Sequence, residues 1–141
     1  MRPRRLRGRA NRPRPRPRTK TLFVASTGDN AIYAVANASS TVNHGKGRVV
    51  VSDAVHLHGP LGLVRTAGGH LISSEGDAVN PDAAQPSEIV EFTEQGKFVN
   101  QFSIDSAPGS AFGLALQQGA SGSRFAAVDD GLNVLDIWNA R

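Results

Sequence analysis

Asp129 and Asp130, with Asn133 close behind, form the densest group of side-chain oxygens beside any turn in this sequence. Oxygen donors suit hard cations such as Ca²⁺ or Mg²⁺, and Ca²⁺ takes about six or more ligands. Two carboxylates and one amide are too few to close such a cage alone. The same residues suit a hairpin cap, because Asp and Asn bond backbone amides within turns. Asp29-Asn30 offers that turn chemistry a second time. His56 and His58 form another group. Alternate residues of an extended strand share a face, so two imidazoles there could hold a transition metal. In a loop ahead of the GPLGLV stretch they would bond backbone groups instead. There is no HExxH, no P-loop and no cysteine, which excludes zincin, Walker-type and thiolate-metal chemistry. GSAFG and GASGS place a Ser beside glycines, but neither reads as the G-x-S-x-G nucleophile turn.

The charge is segregated. Residues 1–20 hold nine Arg, one Lys and no acid, a charge of +10. The rest of the 141-residue chain holds six basic and twelve acidic residues, a charge of −6. The tail carries one Leu and no aromatic, too little apolar surface to offset chain entropy, so disorder is expected over 1–20. Its Pro-Arg alternation favours extended backbone. Arg12, Arg14, Arg16 and Arg18 are the candidate contacts to nucleic acid or another anionic surface, by neutralising phosphates. A targeting segment is a poorer fit: no apolar stretch follows the basic start, and four prolines oppose an amphipathic helix. The remaining reading is an artefactual start, a reading frame running into a gene fragment. The sequence shows no signal peptide, and no apolar run approaches the roughly 18 residues that span a bilayer. The compartment stays open.

The elements that must position these residues are short strands. LFVA at 22–25 and AIYAV at 31–35 flank Ser-Thr-Gly-Asp-Asn, a hairpin signal. The pattern returns as LISSEG and SEIVEF, and again as FAAVDDG and NVLDIW. Aligning the turn glycines puts Gly28, Gly76 and Gly131 in register, 48 and 55 residues apart. GPLGLV and SAFGLAL precede the second and third hairpins, with Gly62 and Gly113 51 residues apart. GRVVVS and GKFVNQFS supply fourth strands. A period of about 40–55 residues with four strands per unit is the pattern of propeller blades. Loops are expected at 77–86 and 117–123, and Trp138 and Phe112 are expected in the core.

The stretches GPLGLVRTAGGHLISSEGD and LFVASTGDNAIYAV resemble the NHL repeat, and AVDDGLNVLDIW is a looser match. The resemblance covers about residues 21–138 and is to the six-bladed NHL and gluconolactonase-like propellers. Ser26 stands where that motif usually has Asp, whereas Asp129 keeps it, which weakens any case for a repeated acidic ring. The resemblance implies an all-β propeller fragment over 21–141, in blade pieces at about 21–53, 59–104 and 110–141, one complete and two incomplete. The rival fold is a β-sandwich. Half a ring would be a fragment of a longer propeller, or would close by self-association through open blade edges. Functionally it implies a binding scaffold for a protein or small ligand, more readily than an enzyme. The alternatives are a Ca²⁺-dependent lactonase-like hydrolase fragment and nucleic-acid binding through the Arg tail.

Overall fold

A computed structural model describes residues 20–39, 47–120 and 122–140. Arg12, Arg14, Arg16 and Arg18, and with them the expected disorder of the tail, lie outside these residues. The described chain is all β, with no helix. Ten strands run in order: β1 Leu22–Ser26, β2 Ala31–Val35, β3 Arg48–Val51, β4 Pro60–Arg65, β5 His70–Glu75, β6 Glu88–Thr93, β7 Phe98–Ser103, β8 Ala111–Gly119, β9 Gly122–Asp129 and β10 Val134–Ala140. They form three antiparallel sheets, ordered β1-β2-β3, β4-β5-β6-β7 and β8-β9-β10. One sheet has four strands and two have three, as the repeat predicts.

The repeat is visible in hydrogen-bond register. In the second sheet Pro60 pairs with Glu75 and Leu63 with Ser73, with a bulge between them. In the third, Ala111 pairs with Asp129 and Leu114 with Ala127, with the bulge at the same place. Gly62 and Gly113 therefore occupy one position of the repeat. The turn glycines are a residue out of step. Ser26, Glu75 and Asp129 each end the second strand of their unit, so Asp77, not Gly76, matches Gly28 and Gly131. Asp77 takes that place in a left-handed conformation, φ 53°, which Asp tolerates better than most residues.

Alternation along each strand sends neighbouring side chains to opposite faces. Leu71, Val90 and Phe92 pack toward the first sheet with Ile32, Val51 and Leu57. Ile72 and Ile89 pack toward the third with Ala111, Ala127, Leu114 and Phe125. The middle sheet is thus covered on both faces. Its junction with the third sheet is tight at Gly62, where an added Cβ would lie 2.5 Å from the Phe112 carbonyl oxygen and 2.7 Å from Ser74 Oγ. Only glycine lets the two backbones approach this closely.

Two expectations are corrected. Residues 117–123 are largely strand: Gln117 pairs with Arg124 and Gly119 with Gly122, so β8 and β9 extend as a long hairpin. Trp138 and Phe112 are not core, at 39 % and 43 % exposed. Trp138 sits on the edge strand β10 and meets Phe102 and Phe125 edgewise and tilted, with ring centroids 5.7 and 5.5 Å away.

Candidate functional site

The turns that follow β1, β5 and β9 gather at one end of the sheets, and a repeated side-chain device links each turn to the next unit. Asn30, Ser87 and Asn133 each immediately precede the third strand of their unit, and all three have left-handed backbone, φ 48°, 53° and 55°. Asn30 Oδ1 accepts from the Gly59 amide at 2.8 Å, and its Nδ2 donates to the Leu57 carbonyl at 2.7 Å. Ser87 Oγ accepts from the Ser110 amide at 2.7 Å and donates to the Ala107 carbonyl at 2.5 Å. Gly59 and Ser110 are equivalent, each standing just before the first strand of its sheet. One latch is therefore made twice, by an amide in one unit and a hydroxyl in the next. Asp77 reinforces the second: its Oδ2 accepts from the amides of Ser87 and Gly109, at 2.8 and 2.7 Å.

Beneath this surface lies an acidic pocket that the sequence reading missed. Glu75 and Glu88 are fully buried, and His58 is nearly so. The register that pairs Ser74 with Ile89 places the two glutamates across from each other. Glu75 Oε2 accepts from the His58 amide at 2.8 Å. The His58 ring faces the Val55 carbonyl at 3.2 Å, the Asn80 carbonyl, and Glu88 Oε1 at 3.5 Å. Among the described residues, Glu75 Oε1, both Glu88 carboxyl oxygens and Asp77 Oδ1 are buried without a hydrogen-bond partner. Burial disfavours the charged form. It pushes the Glu75 carboxyl up to about 7, against the opposing hydrogen bond from the His58 amide, and pushes Glu88 up as well.

The residues singled out from sequence do not converge. Residues 54–56 form a turn, closed by the Leu57 amide on the Asp53 carbonyl at 2.8 Å, so the extended backbone that would align His56 with His58 is not there. His56 stacks on Phe98, with ring centroids 3.8 Å apart, and pairs with Asp53 at 2.8 Å, while His58 turns into the acidic pocket. Asp129 is buried, its Oδ1 accepting from the Leu132 amide at 3.1 Å. Asp130 and Asn133 are exposed. Among the described residues no three His, Asp or Glu side chains are grouped to hold a metal ion. One signal could have exposed the acidic pocket: with strand ends rather than glycines in register, Glu75 aligns with Ser26 and Asp129.

A separate cavity of about 80 Å³ lies between the second and third sheets, lined by Ile72, Ile89, Phe102 and Phe125 with Glu91 and Asn100. Glu91 is held by His70 Nδ1 at 2.6 Å. No protein-family model matches the chain, and no curated protein matches it. No helix of the described residues is long and apolar enough to cross a membrane.

Proposed function

We propose that this chain is a partial β-propeller of the NHL type that serves as a rigid binding scaffold, presenting the turn end of its sheets to a protein or small ligand. The observation that carries this reading is the latch. The same left-handed position in two successive units is tied by side-chain bonds to the amide ahead of the next unit, with a matching bulge in each first strand. Such a device fixes sheet against sheet and holds the intervening loops still. Preorganised loops lose less entropy when a ligand binds. The chemistry offered there is polar: exposed amide, carboxylate and hydroxyl groups on 27–30, 77–86, 105–110 and 130–133. Among the described residues no three His, Asp or Glu side chains are grouped to hold a metal ion, so binding is favoured over the Ca²⁺-dependent lactonase-like alternative.

The test is a fragment-library screen by amide NMR on the full chain. Binders should shift resonances of the latch loops and leave β7 and the 117–123 hairpin undisturbed. Hits confined to the opposite end of the sheets would refute the reading. A second reading, anion or nucleic-acid binding by Arg12, Arg14, Arg16 and Arg18, is favoured by charge segregation alone.

A further inference from the structure

The two outer sheets each turn one face away from the rest of the molecule, and these two faces are not alike. On the third sheet the outward face carries Val128, Leu135 and Ile137, which are 36 %, 58 % and 52 % exposed. Val128 pairs with Leu135, and Ala126 with Ile137. Through the repeat register, Val128 and Leu135 are the equivalents of Ser74 and Ile89, on the middle-sheet face that the third sheet covers. On the first sheet the outward face carries Leu22, Val24 and Val49, which are 53 %, 39 % and 46 % exposed. Leu22 and Val24 are the equivalents of Leu71 and Ser73, on the middle-sheet face that the first sheet covers. Both faces therefore belong to an interface type already formed twice inside this chain, one as its donor side and one as its acceptor side.

Gly113 gives the same message. At Gly62 an added Cβ would strike the next sheet's backbone. At Gly113, the equivalent position, the nearest atom to such a Cβ is Val128 Cγ2 at 3.5 Å, within the same sheet. The close-approach position is in place, and among the described residues no neighbouring sheet reaches it. Asn133 likewise keeps the left-handed latch backbone at the exposed end of the third sheet. We propose that a second copy of this chain covers the outward face of the third sheet with the outward face of its own first sheet, head to tail. A heterologous contact of this kind closes into a ring or runs on as a filament. Propellers contain about four to eight sheets, so three-sheet chains close at two copies, giving six. The closure rests on the propeller reading above; the pairing of the two faces rests on the repeat register.

The chain has no cysteine, which makes the test clean. Val24→Cys and Leu135→Cys are prepared as separate single variants of the full chain and treated with a short bismaleimide. The equivalents of these positions, Ala127 and Ile89, lie in one packed cluster, so the pair should fall within reach. Covalent dimer is expected when the two variants are mixed and not from either alone. Light scattering on the untreated chain should give twice 14.9 kDa. Leu135→Lys and Val24→Glu should each abolish the dimer while leaving the far-ultraviolet CD unchanged, and a chain carrying both should regain it. A monomer at micromolar concentration, an open-ended ladder of species, or crosslinking of either variant with itself would overturn the proposal. Those outcomes leave the fragment-mapping test untouched, so the two ideas fail separately.

Discussion

Asn30 is the residue on which the latch can be weighed. Its side chain makes two hydrogen bonds across the junction of the first and second sheets, at 2.8 and 2.7 Å, from a backbone at φ 48°. Asn30→Gly removes both bonds and keeps the backbone relaxed, which should cost about 2 kcal/mol at about 1 kcal/mol per bond. Asn30→Ala removes the same bonds and leaves a Cβ in the left-handed region without the short polar side chain that makes Asn tolerant of it, which adds about 1 kcal/mol, for a total of about 3 kcal/mol. Asn30→Asp keeps the acceptor for the Gly59 amide and loses the donor to the Leu57 carbonyl, so it should fall nearer to Gly than to the native chain. Urea unfolding followed by far-ultraviolet CD at one pH measures all three. The reasoning fails if Asn30→Gly costs less than about 0.5 kcal/mol, the range of an ordinary surface change. It also fails if Ala and Gly are equal, since the strained backbone would then count for nothing.

Gly62→Ala should destabilise by about 1–3 kcal/mol, the usual range for overpacking, whereas Gly113→Ala should be within about 0.5 kcal/mol of native when measured on the monomeric Leu135→Lys background; paired urea melts compare them. The buried glutamates make the fold lose stability as pH rises toward neutrality. Glu75 titrates at about 7 in the folded chain against an ordinary 4.5, so between these values the native state holds a proton that the unfolded state has lost. Stability is greatest below about 4.5 for this group and falls as pH rises through about 7, by about 3 kcal/mol. Thermal melts at pH 5 and pH 8 should show this drop, and Glu75→Gln should narrow it. Deleting residues 1–20 should remove any salt-sensitive binding to DNA or RNA, read by fluorescence anisotropy across a salt series; binding that survives the deletion would clear the Arg tail of the role.

Strand positions were legible because the chain announces them locally. LFVA, AIYAV and EIVEF are short β-prone runs, the first two joined by Ser-Thr-Gly-Asp-Asn, and each lies on a strand of the structure. The register between units was harder to read. Asp77 stands at the repeat position that glycine holds at Gly28 and Gly131, so matching glycines slid the middle unit by one residue. The hairpin at 117–123 was hidden by composition: Gly, Ala and Ser suggest a loop, but pairing of Gln117 with Arg124 continues the ladder through them. The acidic pocket was hidden for a different reason. Glu75 and Glu88 look like solvent-facing ends of strands, and only the covering of the middle sheet by both neighbours buries them. His56 and His58 parted because the Asp53 carbonyl draws 53–57 into a turn, a contact that the alternation of histidines does not reveal.

The junctions described above join consecutive sheets: β1 meets β4, and β8 meets β4 and β5. Each latch likewise reaches one unit forward and no further. A chain built this way can gain or lose a whole unit of about fifty residues by recombination without disturbing the junctions that remain. Asn30 and Ser87 make the same joint with different chemistry, an amide in one unit and a hydroxyl in the next.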